Sequence, residues 1–293
     1  MDSTAKRRTE TVEDVVLRYS CRGMHILRTY MDAKFCRKAA LKLLSLEKGT
    51  ILLTTGFYVD GHAETDGPPG TMALAVALRK LGYHPVIVTD KYCRGFFEME
   101  NLEVKYMNID DGRNAYENLL ETYRPAALIS IERCGRNEEK DYANMRGTSI
   151  KSRTARVDLM FEKAAEMNIP TFGIGDGGNE IGMGNLKEVI RAKLSLVPCE
   201  VEVDTLVIST VSNWGAYALA AYMQQIKKIR LLPKFKEIKK YLEAIVKMGS
   251  VDGVTKRQAL SVDGFPLEVE KEILDALNRA ALQAEEEIER KAG

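Results

Sequence analysis

The chain has little histidine and little cysteine, and neither is grouped. Of its 293 residues only 3 are His and 5 are Cys. Cys21, Cys36, Cys93, Cys134 and Cys199 are odd in number, lie far apart and form no C-x-x-C pair, so neither a disulfide framework nor a zinc site is indicated. His62 has no second histidine at ligand spacing and reads as a non-ligand. An excess of charge of either sign is also missing. With 43 basic and 42 acidic residues the net charge is +1, which gives no global field for nucleic acid or an acidic membrane surface. No apolar run approaches the roughly 20 residues of a membrane span. The N-terminal Lys6, Arg7 and Arg8, followed by Glu10, Glu13 and Asp14, carry no apolar signal core. A cytoplasmic location is expected. No linker rich in Pro, Gly or Ser and no low-complexity tract divides the chain. The expectation is one α/β domain over 1–293, with its core at about 48–226, N-terminal helices at 12–47 and a C-terminal helical region at 234–290.

What is present is an alternation of short apolar runs and amphipathic stretches. Strands are predicted at 50–54, 84–89, 126–131, 170–174 and 205–209, and helices at 71–81, 154–167, 186–193 and 215–224. Apolar strands separated by helices point to a mostly parallel sheet covered by helices on both faces, with helical additions at either end. Near the C-terminus Ile273, Leu274, Leu277, Ala281 and Ile288 make an apolar stripe, with Glu285–Glu287, Arg290 and Lys291 on the solvated side. Two Ser-Val-Asp-Gly copies, at 250–253 and 261–264, read as turns.

The most informative stretch is Gly-Ile-Gly-Asp-Gly-Gly-Asn-Glu-Ile-Gly-Met-Gly-Asn at 173–185. Glycines at this density serve where backbone must turn with positive φ or lie close to something. Three more strands run into polar loops at their carboxyl ends, where open α/β sheets bind ligands. They hold Thr55 and Asp66, then Glu132, Arg133 and Arg136, then Asn213 and the single tryptophan, Trp214. One edge of the sheet should gather all four loops. Asp66, Glu132, Asp176, Asn179 and Glu180 are expected to hold Mn²⁺ or Mg²⁺, since all-oxygen ligands favour a hard cation. Gly175, Gly177, Gly178, Asn179, Arg136, Asn213 and Thr55 are expected at the substrate, with Glu132, Asp176, Glu180 and Arg133 as catalytic groups. Each has a plainer reading: Asp176 as a helix cap, Glu180 as a favourable charge at a helix start, Glu132 as an ion-pair partner, Asp66 as a turn residue, Trp214 as core. Cys134 lacks a histidine to activate it as a nucleophile.

Two nucleotide patterns fail. Gly67-Pro68-Pro69-Gly70-Thr71 continues into Met72-Ala73, where a phosphate loop needs Gly-Lys. Gly173, Gly175 and Gly178 fit G-x-G-x-x-G, but Asp176 among them repels a pyrophosphate and the turn follows a late strand.

The Thr-Thr-Gly-Phe strand end, Glu-Thr-Asp-Gly-Pro-Pro-Gly, Ile-Glu-Arg-Cys-Gly, the glycine turn and Ser-Asn-Trp-Gly together resemble the D-glutamate-cyclase-like C-terminal domain family, from about residue 12 to 280. In the eukaryotic cyclase such a domain is fused behind a different domain, and the whole interconverts 5-oxo-D-proline and D-glutamate. The chain is expected to stand without that partner domain, and the resemblance to stand-alone members implies a function of its own. A metal beside arginines suits a small anionic substrate, a phosphate ester or a carboxylate. The leading expectation is a metal-dependent hydrolase of phosphatase type. Cyclase-type chemistry on 5-oxo-D-proline and D-glutamate is the alternative, and a non-catalytic ligand-binding domain the third. Self-association into a homo-oligomer is left open.

Overall fold

A computed structural model describes residues 10–292, with side chains to residue 284. Helices α1 (Val12–Val15), α2 (Met24–Leu27) and α3 (Phe35–Ser45) precede strand β1 (Thr50–Thr54) and a small hairpin, β2 (Tyr58–Val59) with β3 (His62–Ala63). Then come α4 (Pro68–Lys80), β4 (His84–Thr89), β5 (Glu103–Tyr106), α5 (Arg113–Tyr123) and β6 (Ala127–Ile131). They are followed by α6 (Asp158–Glu166), β7 (Thr171–Gly175), α7 (Lys187–Lys193), β8 (Thr205–Ile208) and α8 (Ser212–Lys227). The chain closes with α9 (Phe235–Lys247), a second hairpin of β9 (Ser261–Val262) and β10 (Phe265–Pro266), and α10 (Leu267–Ala292).

The six long strands form one parallel sheet in the order β5-β4-β1-β6-β7-β8. Strands this apolar, buried on both faces, need a helical layer on each side. Register places Leu52 beside Leu128, Ile129 beside Phe172 and Ile174 beside Val207. The chain order reverses between β1 and β6, so their carboxyl ends diverge and leave a crevice there. Helix α8 is buried along most of its length and packs on α3, α4 and α10. Its Trp214 is fully buried, with the ring 5.4 Å from Phe265 and Nε1 donating to Glu270 Oε1 at 2.6 Å. Ile273, Leu274, Leu277 and Ala281 are buried as the stripe predicts. The side chains of Ile288 and of residues 285–287 and 290–291, like Lys6, Arg7 and Arg8, fall outside the described residues. No helix among the described residues is long and apolar enough to cross a membrane.

Two departures from the sequence reading matter. Nothing was assigned between 89 and 126, where edge strand β5 and helix α5 lie; Glu103 and Lys105 make β5 polar, as a half-buried edge permits. The helical span expected at 12–47 is broken, because Tyr19, Arg22 and Gly23 adopt positive φ (57°, 49° and 78°). That break lays Arg22 over the carboxyl end of the sheet.

Candidate active site

Helices α4 and α8 begin side by side at the crevice and exchange caps. Asp66 Oδ2 accepts from Ser212 N–H, and its Oδ1 accepts from Asn213 N–H, each at 2.8 Å, at the start of α8. Asn213 Oδ1 in return accepts from Gly67 N–H at 3.0 Å and Gly70 N–H at 2.7 Å, at the start of α4. A helix start carries unpaired N–H groups and partial positive charge, so a carboxylate and an amide oxygen serve both ends. Gly67 has φ 95°, and a Cβ there would meet Thr55 Oγ1 at 2.3 Å and Glu132 Cβ at 2.9 Å. Only glycine passes that point, and it brings the Asp66 loop against β6.

Glu132, the residue after β6, is left-handed at φ 48°, a conformation that costs a non-glycine residue energy and persists only when its surroundings enforce it. Its Oε2 accepts from Ser212 Oγ at 2.6 Å. Oxygens of Asp66, Glu132 and Asp176 lie within 4.8 Å of one another. The glycine turn after β7 wraps the side chain of Glu180: Gly178 N–H donates to Glu180 Oε2 at 2.8 Å. A Cβ on Gly177 would strike Met145 Sδ at 2.5 Å and Glu180 Oε1 at 2.8 Å. Asn179 Nδ2 donates to Ala143 O at 2.9 Å, while its buried Oδ1 has no hydrogen-bond partner.

Above these groups lies a cavity of about 260 Å³. Glu64, Glu132, Asp176, Asn179, Glu180, Asp263 and Arg22 line its polar side; Phe57, Tyr58, Met145 and Ile150 line the apolar side, with Arg146 and Lys256 also at its wall. Arg22 Nη2 donates to Asp176 Oδ2 at 2.6 Å, to Asp263 Oδ2 and to Thr210 O at 2.9 Å.

Charge in this cavity and at Asp66, grouped with its Glu132 and Asp176, is unbalanced. Burial pushes Asp66 up to about 7, with Asp263 adding to it. Burial also holds Glu64 well above the carboxylate range, reinforced by Asp263 and Asp66. Glu132 is raised by burial and by Glu180 and Asp66. Asp176 is raised by burial against the opposing pull of Arg22. For Arg22 itself burial favours the neutral form, but Asp176 and Asp263 outweigh it and hold the guanidinium charged.

Not every expected residue reaches the cavity. Arg133, expected to be catalytic, is fully buried on the other side of its strand end: Nη2 pairs with Asp90 Oδ2 at 2.7 Å and Nη1 holds Gly56 O at 2.8 Å. Arg136 is paired with Glu162 and Glu200. Asn213 has its amide oxygen and nitrogen committed to the α4 cap and Thr65 O. The Gly175–Gly178 backbone encloses the protein's own Glu180. Cys134 is buried, which raises its thiol well above the ordinary range and leaves it unreactive. Sequence reasoning missed Glu64, Arg22 and Asp263. Glu64 stands two residues before Asp66, a detectable neighbour. Asp263 belongs to the second Ser-Val-Asp-Gly copy. In the first copy Asp252 only ties the turn, accepting from Thr255 N–H at 2.7 Å and Gly264 N–H at 2.7 Å.

The sequence pattern of the D-glutamate cyclase-like, C-terminal family matches residues 12–278, and the chain belongs to that family. The human protein D-glutamate cyclase, mitochondrial (Homo sapiens) is 30% identical over 281 residues, which cover 79% of this chain and 46% of that protein. The chain thus spans about half the length of the curated relative it matches. Among solved structures, the UDP-glucose 4-epimerase of Thermotoga maritima with UDP-glucose has a TM-score of 0.28 at 17% identity, covering 44% of this chain and 38% of that one. The Bordetella bronchiseptica enzyme WbmH in complex with NAD⁺ has a TM-score of 0.31 at 12% identity, covering 70% and 64%. Neither likeness carries an inference about this chain. The family and the human relative overturn the phosphatase expectation, since both are named for a cyclase. The geometry agrees: Arg133 and Arg136, the arginines expected to hold a phosphate ester, are paired elsewhere, and carboxyl groups outnumber Arg22, Arg146 and Lys256 on the cavity wall.

Proposed function

We propose that this chain carries D-glutamate cyclase-type activity, interconverting 5-oxo-D-proline and D-glutamate. The observation that carries the reading is a single small cavity where Arg22, Arg146 and Lys256 are outnumbered by the carboxyl groups of Asp60, Glu64, Glu132, Asp176, Glu180 and Asp263. An amino acid has a carboxylate for Arg22 and an ammonium group for the acidic wall. A purely anionic ligand matches only the first. Membership of the cyclase-like family and the name of the human relative support the same substrate class.

Ring closure joins the amine nitrogen to the side-chain carboxyl carbon and expels one carboxyl oxygen as water; the reverse step adds water to the lactam. In both directions one group must give a proton while another takes one. Glu64, held protonated by burial, gives its proton to the departing oxygen. One ammonium proton passes to the side-chain carboxylate before attack, and Glu180, anchored by Gly178 N–H, takes the second proton from nitrogen as the new bond forms, so that the departing oxygen leaves as water. The apolar wall of Phe57, Tyr58 and Ile150 covers the methylene groups and limits water. Chiral chromatography of the chain incubated with 5-oxo-D-proline tests this. Formation of D-glutamate is expected, with the L lactam turned over more slowly. Silence on both enantiomers, with protein shown to be folded, would overturn it.

A further inference from the structure

The geometry points to a divalent-cation site formed by the Asp66, Glu132 and Asp176 carboxylates, in which Arg22 is the internal cation that the ion displaces from Asp176. Three carboxylate oxygens within 4.8 Å of one another fit around one hard cation reached at about 2.0–2.6 Å from each. The donor set is all oxygen, which favours Mn²⁺ or Mg²⁺ over zinc. Crowded acids alone would not make a site. Two further groups point to a ligand. Thr55 Oγ1 is fully buried, has no hydrogen-bond partner, and packs against Gly67 close to Glu132 Cβ. Asn179 Oδ1, on a side chain only 3% exposed, is likewise unpartnered and lines the cavity. An oxygen buried without a donor costs free energy, and an ion with its water shell supplies what both lack. Glu180 stays out of the set, because the oxygens that lie within 4.8 Å of one another belong to Asp66, Glu132 and Asp176.

Arg22 explains how the carboxylates coexist without the ion. Its Nη2 bridges Asp176 and Asp263, and its buried Nε has no partner. A cation bound at Asp176 takes over one of those contacts and frees the guanidinium toward the cavity. The site stands on these carboxylates with the unpartnered Thr55 and Asn179 oxygens and does not depend on the cyclase reading.

Mn²⁺ titration of the full chain, followed by electron paramagnetic resonance without substrate, tests it. Wild type is expected to bind one ion. Asp176→Asn should weaken binding by more than about tenfold, and Glu132→Gln by a similar factor, so that a folding defect in either leaves the other decisive. Arg22→Gln removes a positive charge beside the ion and should tighten binding by about tenfold. Equal affinity for wild type and both carboxylate variants, or no binding by folded wild type at millimolar Mn²⁺, would overturn the site. Unchanged affinity in Arg22→Gln would overturn the displacement.

Discussion

Arg133 and Arg22 both meet aspartate, one behind β6 and the other at the cavity. Around Arg133 the charges balance: one buried guanidinium, one buried carboxylate, and the Thr55, Gly56 and Ala155 carbonyl oxygens accepting the remaining contacts. Around Arg22 they do not, because a single guanidinium serves Asp176 and Asp263 with Glu64, Glu132 and Glu180 close by. A balanced buried pair holds two loops together. A surplus of buried carboxylate stores cost that only a ligand or a proton can relieve. The difference separates residues that shape the strand ends from residues that act at them.

The largest expected effect falls on the balanced pair. Asp90→Ala leaves Arg133 as an uncompensated charge in the core, and should lower the unfolding free energy by about 3–5 kcal/mol in urea titrations. Ile131→Ala, in the fully buried strand that leads to Glu132, provides the apolar reference and should cost about 2–5 kcal/mol through the cavity it leaves. If Asp90→Ala proves much milder than Ile131→Ala, the pair is not structural and the comparison breaks.

At the unbalanced site the sign changes. Glu132→Gln removes one of several mutually repelling carboxyls, and its metal-free melting temperature should match or slightly exceed that of wild type while turnover is lost. A marked fall in melting temperature with activity retained would make Glu132 an ordinary ion-pair residue.

These two regions were unequally legible in the sequence. The glycine turn, Asp66 and Glu132 stand at strand ends, and a parallel sheet must bring those ends to one edge. Asp66, Glu132 and Asp176 could therefore be grouped before any contact was known. Arg133 sits beside Glu132 in the chain and was assigned to the same site, but the left-handed Glu132 sends the two side chains to different places. Arg22 was invisible because its flanks have helical periodicity. The backbone break that delivers it carries one local signal, Gly23 at φ 78°, while Tyr19 and Arg22 take positive φ with no glycine to mark it. Asp263 was hidden for a related reason: its motif is identical to the one that only ties a turn at Asp252.

The smallest effect concerns the buried carboxyl behind the site. Burial pushes Glu270 up to about 7, and Trp214, the single tryptophan, donates to it. Tryptophan emission should titrate near pH 7 and lose that transition in Glu270→Gln. The folded state holds this proton more tightly than the unfolded chain. The Glu270 contribution to stability therefore falls as pH rises from about 4.5 to about 7, and Glu270→Gln should flatten that slope.

The comparison rests on whether the surplus carboxylates do the chemistry. The most direct measurement is the initial rate of 5-oxo-D-proline formation from D-glutamate by Glu64→Gln, scored on protein whose unfolding free energy equals that of wild type. Loss of Glu64 as proton donor predicts a rate lower by about 10²–10⁴-fold. A rate within about twofold of wild type would place the proton transfer elsewhere and contradict the assignment.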